Sequence, residues 1–388
     1  VGRKSMPRPL NLISWNVQGL GHVIKRKKIL TFLKKQEADI ALLQKTRLSD
    51  VDHLKQCFSS HSQNKKGTAV LINEKLPFTF VCKERDLEGR FILIKGSIAG
   101  QSITILNVYA PNNDSPNFIS QVILLFSQYC DGLGLLDGDF NCIMDAGLDK
   151  SSSAHVSNPK ASSALKELCS DIGLVDVWHQ LNPKVKDFSL YTHPHNSYCR
   201  LDSKTYLHSV LSCSMGSTAL SDHAPIYLQF ESTFNTVRTP ILRFNTSFLN
   251  SNSFCTFVRN NLLQYWSDNE SSPISSAMIG DVAKVTLRGQ LISYSSFQKR
   301  VLEENRKKLE NEVFRLEHVH KHFPTSGNLN VLVAARTKLN MDYTLHAQKL
   351  LLYTKQKYYE FVNQSSRLLA YQLKNQINDR TISMIRTC

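Results

Sequence analysis

Leu12-Ile13-Ser14-Trp15-Asn16-Val17, followed by Lys25–Gln36 (KRKKILTFLKKQ) and then Ile40-Ala41-Leu42-Leu43, is the stretch on which the fold class turns. Two short apolar runs flank a segment that places Ile29, Leu30, Phe32 and Leu33 inward and its lysines outward, so the opening reads strand–helix–strand. Further strand candidates are Thr68–Ile72, Phe78–Cys82, Phe91–Lys95, Ile103–Val108, Leu133–Leu136, Phe188–Thr192, Tyr206–Leu211 and Ala224–Phe230. Helical patterns cover Phe118–Tyr129 and Ala161–Ser170. Many strands and few helices within about 230 residues predict an α/β fold, a four-layer sandwich of two packed mixed sheets flanked by helices.

After about residue 232 the character changes. Residues 1–10 read as a basic N-terminal arm, 11–231 as the sandwich domain and 232–280 as a linker with short helices. Residues 281–388 read as a basic helical hairpin, giving a mostly helical extension. Val282–His320 and Val331–Asn378 are its two helices, broken near Pro324-Thr325-Ser326-Gly327. This last region carries 18 Lys and Arg against 9 Asp and Glu. Solvated flanks are the plain reading of that charge; contact with nucleic acid is the functional one.

The 388 residues carry 47 Lys and Arg against 32 Asp and Glu, a formal net charge of +15. Such an excess favours a polyanionic partner, nucleic acid ahead of a membrane surface. The nine cysteines are scattered with no CxxC pair, which argues against a disulfide framework or zinc site and for reduced thiols. No apolar run approaches the ~20 residues of a membrane span, and no signal-peptide core opens the chain. The expected location is the nucleus or cytoplasm. The start on Val1 reads as a fragment of a longer frame.

Phosphodiester hydrolysis needs charge stabilisation on the phosphate, a base to position water and a donor for the leaving oxygen. Asn16, Asp139, Asn141, Asp202, Asp222 and His223 each lie at or near the edge of an apolar strand candidate, where a rigid scaffold can bring them together. Singly these signals are weak: a Gly-Asp-x-Asn turn is usually only a turn, and Asn112-Asn113-Asp114 reads equally as turn chemistry. In order they are Ser14-Trp15-Asn16-Val17, Ala41–Thr46, Asn107-Val108-Tyr109-Ala110-Pro111-Asn112, Gly138-Asp139-Phe140-Asn141 and Ser221-Asp222-His223. That ordered set resembles the endonuclease/exonuclease/phosphatase superfamily over residues 10–231, and most of all the endonuclease of LINE-type (non-LTR) retrotransposons.

The resemblance implies a metal site at Asn16, position 45 and Asp222. It implies scissile-phosphate contacts from Tyr109 and Asn112, with Asp139 acting on the attacking water beside Asn141. His223 would stabilise the phosphate, paired with Asp222. Asp202, in Cys199-Arg200-Leu201-Asp202, would orient His223 or a neighbour, and Ser189 and Arg200 would line the DNA cleft. Leu287–Tyr294, Tyr358–Phe361 and Ser366–Ala370 resemble the segment that follows the endonuclease in such elements. No YxDD polymerase motif follows.

Lys45 breaks the pattern, since the family would place a metal-binding Glu there. An ammonium about 4 Å from a divalent ion is repelled by roughly 8 kcal/mol at an effective dielectric of about 20, before relaxation. A lysine can stand in for part of the metal's charge, but it cannot coordinate and position water. Smaller departures are Asp137, read as extra charge near the site or as an exposed turn residue, the strand Ser203–Tyr206, and a short stretch from Leu54 to Lys66. The expectation is a Mg²⁺- or Mn²⁺-dependent DNA endonuclease, nicking target DNA for retrotransposition, with metal affinity and cleavage impaired and DNA binding retained. RNA is a second candidate partner. Alternatives are a non-catalytic nucleic-acid-binding remnant and, ranked lower, an abasic-site repair endonuclease or a phosphatase of the same superfamily.

Overall fold

The structure, a computed structural model, describes residues 8–48, 57–59, 66–143, 145, 147–151, 160–183, 185–192, 197–199, 203–205, 210–231, 245–271 and 273–361. In chain order the sandwich runs β1 (Leu10–Asn16), α1 (Val23–Lys35), β2 (Ile40–Gln44), β3 (Cys57–Ser59), β4 (Thr68–Ile72), β5 (Phe78–Arg85), β6 (Phe91–Ile98) and β7 (Gln101–Tyr109). It continues with α2 (Pro116–Tyr129), β8 (Leu133–Asp139), α3 (Lys160–Asp171), β9 (Val175–Asp176), α4 (Val177–Leu181), β10 (Leu190–Thr192), β11 (Ser197–Cys199), β12 (Ser203–Thr205), β13 (Val210–Met215) and β14 (Ile226–Phe230). One six-stranded sheet has the order β13-β14-β1-β2-β4-β3 and the other β5-β6-β7-β8-β12-β9; β10 and β11 form a separate pair. Of the expected strand Tyr206–Leu211, residues 206–209 lie outside the described residues and the strand begins at Val210.

Alternation along the strands builds the layers, because successive side chains point to opposite faces. Leu10 and Leu12 of β1, Ile40 and Leu42 of β2, Ile103 and Ile105 of β7 and Leu135 of β8 meet between the sheets. The intervening Ile13, Trp15, Ala41 and Leu43 pack under Ile29 and Leu33 of α1. On the far side, Leu106, Val108 and Leu136 pack with Phe118, Val122 and Phe126 of α2 and Leu165 of α3. The result is four layers, helix, sheet, sheet, helix, as the sequence predicts.

The inward positions are not apolar throughout. In β1 they run Leu10, Leu12, Ser14, Asn16; in β2 Ile40, Leu42, Gln44; in β7 Ile103, Ile105, Asn107, Tyr109; in β8 Leu133, Leu135, Asp137, Asp139. Each strand turns polar at its C-terminal end. β1 and β2 are parallel in one sheet and β7 and β8 in the other, so the polar ends gather at one end of the sandwich. There Gln44 Nε2 donates to Asn107 Oδ1 (2.8 Å) and Ser14 Oγ (3.1 Å), and Asn107 Nδ2 donates to the carbonyls of Ala69 (2.9 Å) and Leu43 (3.1 Å). These buried amides tie the two sheets together, and each is satisfied, as burial requires. Asp137 is neither exposed nor in a turn: it is a fully buried residue of β8, paired in register with Asn107 and Ser203.

The helical extension contains α5 (Asn252–Asn269), α6 (Ser276–His322) and α7 (Ser326–Phe361). α6 ends before Pro324, which has no N–H to continue the ladder, and Thr325 Oγ1 accepts from Asn328 N (3.2 Å) to start α7. The chain divides into two compact units, Val1–Thr236 with Val313–Cys388, and Val237–Glu312. In the first unit α7 lies on α1: Lys28 Nζ donates to Asn340 Oδ1 (2.6 Å) and Thr344 Oγ1 (3.2 Å), and Phe32 meets Tyr343 edge-on at 6.4 Å. Leu332, Leu339, Tyr343 and Ala347 form the buried stripe of α7. In the second unit Phe248, Phe254 and Phe257 surround Tyr294 at 5.0–5.7 Å between ring centroids. Among the described residues no helix is long and apolar enough to cross a membrane.

Candidate active site at the polar end of the sandwich

Asp139 ends β8 and is nearly fully buried. Its position depends on Gly138, whose φ of +143° and missing side chain let β8 pass Val108 of β7; a Cβ there would stand 2.0 Å from the Val108 carbonyl oxygen. Asp139 Oδ2 accepts from Asn16 Nδ2 (2.7 Å) and Oδ1 from the Asn141 backbone N–H (3.1 Å). Asn16 Nδ2 also lies 3.3 Å from His223 Nε2. An amide nitrogen only donates, so His223 Nε2 is the acceptor of that contact. Trp15 Nε1 donates to the His223 carbonyl (2.8 Å), and Ser221 Oγ to the Asn16 carbonyl (2.7 Å), which fixes the segment before β14 against β1. Asn16, Asp139 and His223 therefore form one buried hydrogen-bonded chain.

The resemblance pairs Asp222 with His223. In the structure Asp222 points out to solvent and accepts from Gln18 Nε2 and from Ser221 Oγ (3.1 Å), not from His223. Tyr109 is half-buried at the end of β7, and its hydroxyl is held above the usual phenol range by burial and then by the charge of Asp139, with Arg47 opposing and Asp222 adding to the rise. Asn141 turns its side-chain nitrogen to the Ala110 carbonyl (2.7 Å) and shares a cavity with the exposed Asn112. Asp114, in the turn after Asn112, caps α3 by accepting from Lys160 N (2.9 Å) and Ala161 N (2.7 Å). Ser189 is buried, its carbonyl accepting from Ala224 N (2.7 Å), and its neighbour Leu190 bridges to His223. Arg200 and Asp202 lie outside the described residues.

Lys45 follows β2 directly and is half-buried. Its φ is +53°, in the left-handed region that non-glycine residues seldom enter. Gln18 (+50°), Arg47 (+51°) and Asn141 (+50°) share that conformation, so four left-handed residues cluster at this end of the sandwich. The loops that carry them are laced together. Val17 N donates to the Gln44 carbonyl (3.1 Å), Leu20 N to that of Thr46 (2.6 Å), and Thr46 N to that of Gly67 (2.9 Å). From the first turn of α1, Lys25 Nζ donates to the Gln18 carbonyl (3.1 Å). Burial lowers the Lys25 pKa; the Asp222 charge opposes this, and Lys28, Arg47 and Lys45 add to the lowering.

Sequence reasoning gave no role to Ser14, Gln18, Lys25, Gln44, Arg47 or Asn107, although Ser14, Gln44 and Asn107 stand inside the motifs. For Ser14, Gln44 and Asn107 a signal was present: each is a polar residue on the inward phase of an otherwise apolar strand. For Gln18, Lys25 and Arg47 there was none, because their place depends on loop conformations that no local pattern announces.

No protein-family model matches the chain. It is similar to the Transposon TX1 uncharacterized 149 kDa protein of Xenopus laevis, 23% identical over 268 residues, which is 64% of this chain and 20% of that protein. It is also similar to an exodeoxyribonuclease of Bacillus subtilis (strain 168), 31% identical over 114 residues, 27% of this chain and 44% of that protein. The chain thus spans a fifth of one relative and less than half of the other. Among solved structures, the AP endonuclease LMAP of Leishmania major is matched with a TM-score of 0.47 at 17% identity, over 58% of this chain and 89% of that one. A humanized D. rerio TDP2 is matched with a TM-score of 0.43 at 17% identity, over 58% of this chain and 99% of that one.

Proposed function

We propose, for a chain that belongs to the endonuclease/exonuclease/phosphatase superfamily and is related to a retrotransposon protein, that it binds DNA at the polar end of the sandwich and that its phosphodiester-cleaving chemistry is impaired at Lys45. The inherited reaction is the nicking of target DNA with the aid of Mg²⁺ or Mn²⁺. The single observation behind the impairment is Lys45 at the end of β2, in the loop laced to the segment that follows Asn16.

A hard divalent ion needs oxygen ligands, several of them anionic. Among the described residues no group of three or more His, Cys, Asp or Glu side chains is placed to hold a metal. Asn16 Oδ1 accepts from Gln18 N (3.2 Å), and its nitrogen faces Asp139. Position 45 supplies an ammonium where the resemblance calls for a carboxylate. The described side chains therefore do not fit a Mg²⁺ ion. What they do fit is phosphate contact: Tyr109, Asn112 and His223 are not changed by a lysine at 45, and phosphate contacts supply most non-specific affinity for DNA.

Nicking of supercoiled plasmid in Mg²⁺ tests the reading. The unaltered chain should nick at the background rate, Lys45→Glu should gain activity, and Lys45→Glu with His223→Ala should lose it again. Nicking by the unaltered chain that His223→Ala abolishes would overturn the impairment. No nicking by any variant, with DNA binding intact, would favour a binding-only remnant with damage beyond position 45.

A further inference from the structure

Three cations stand on the hydrogen-bonded segments around position 45, where the resemblance places a metal. Lys45 and Arg47 flank the fully buried Thr46, so both side chains leave the same short segment, one half-buried and one exposed. That segment is held on both sides, by Leu20 N on the Thr46 carbonyl (2.6 Å) and by Arg47 N on the Lys66 carbonyl (3.2 Å). The Arg47 side chain crosses the Gly19 backbone, with Cδ 3.3 Å from where a Gly19 Cβ would stand. Lys25 reaches the same loop from α1 through the Gln18 carbonyl (3.1 Å), and α1 has no acidic residue in its first turn.

Among the described residues none of the three is ion-paired with a carboxylate. The nearby Asp222 is engaged by Gln18 and Ser221, and Asp139 by Asn16 and Asn141. Two partly buried ammonium groups and a guanidinium, the ammonium of Lys25 feeling the other two charges as well as that of Asp222, and none of them in an ion pair among the described residues, are an arrangement that suits an anion. A guanidinium matches phosphate oxygens in pairs and an ammonium adds point charge. Tyr109, whose hydroxyl keeps its proton to a higher pH than usual, supplies a neutral donor beside them.

We propose that Lys25, Lys45 and Arg47 form a metal-independent phosphate site that holds one backbone phosphate of DNA in the cleft. This rests on the DNA-binding reading above and deepens it. Lys45 would then take over the attractive part of a metal's work, holding the phosphate, and leave out the part that activates water.

The test uses the full chain, a labelled DNA duplex followed by fluorescence anisotropy from 50 to 300 mM salt, and pyrophosphate followed by calorimetry. The affinity for DNA should be the same within about twofold in EDTA and in Mg²⁺ at matched ionic strength. Lys45→Ala and Arg47→Ala should each weaken binding several-fold and lower the slope of log affinity against log salt by about one. Lys45→Arg, which keeps the charge, should lose less than Lys45→Ala, and circular dichroism separates a lost contact from a lost fold. DNA binding that EDTA abolishes, or that Lys45→Ala and Arg47→Ala leave unchanged in strength and salt slope, would overturn the site while leaving the DNA-binding reading in place. Pyrophosphate binding that needs Lys45 in a chain that ignores DNA would support the site and overturn that reading. A chain that binds neither overturns both.

Discussion

Lys25 reports on the charge at position 45. Its ammonium is disfavoured by burial; the Asp222 charge opposes this, and Lys28, Arg47 and Lys45 add to it, so Lys45 and Asp222 pull in opposite directions. Lys45→Ala should therefore raise the Lys25 pKa and Asp222→Asn should lower it, as followed by NMR of ¹³C-methylated lysines through a pH titration. Shifts of the same sign would show that the two charges do not meet at Lys25. The sign for stability follows from proton counting. A lysine with a lowered folded pKa holds fewer protons than the unfolded chain between the folded and unfolded values, so its contribution to stability rises with pH across that window. Lys45→Ala should flatten that rise.

At the scale of elements, the C-terminal end of α6 and the start of α7 grip the loop that leads into Ser221-Asp222-His223. Glu317, nearly fully buried, accepts at Oε1 from Thr218 N (2.9 Å), Thr218 Oγ1 (2.6 Å) and Arg336 Nη2 (2.9 Å), and Arg336 also donates to Thr218 Oγ1. Nearby, Lys321 pairs with Asp187, and His320 packs edge-on against Tyr191 at 5.1 Å. Glu317→Ala strands a partly buried guanidinium and two loop donors, and should cost about 2 kcal/mol, discounted because Arg336 keeps some contact with water. Hydrogen exchange should speed up in residues 216–223 well before it does in β1 or β8; uniform exchange would mean the grip does not hold the loop. Nothing local in the sequence announced this contact, since Thr218 and Glu317 are 99 residues apart. The elements themselves were legible where periodicity is long. β1, β2, β4, β6, β7, α2 and α3 fall where alternation or a helical stripe runs for five residues or more. β3, β9, α4, β11 and β12 run for only two to five residues, too short to show a period; the strands among them pair with a neighbouring strand, and α4 starts on the Asp176 cap.

For the molecule as a whole, α7 lies on α1 through Asn340, Tyr343 and Thr344, and Leu332, Leu339 and Tyr343 of α7 are buried. A chain ending at residue 236 should bind more of a hydrophobic dye and melt about 5–10 °C lower than the full chain, on the scale of a few buried side chains in a domain of this size. An unchanged melting temperature would show that the helical arm adds nothing to the sandwich. The site's location was legible because its residues sit at strand ends, and strands were the strongest pattern in the chain. Its partnerships were less so: hydrogen bonds from Gln18 to Asp222 and from Asn16 to His223 depend on loop geometry, not on spacing. The amide pair Gln44–Asn107 has a consequence of its own. It fastens the two sheets at the polar end of the sandwich with groups that carry no charge and take up no proton, so the fastening is indifferent to acid, salt and chelator alike. A chain built on such a floor can exchange the chemistry at its rim and keep its shape.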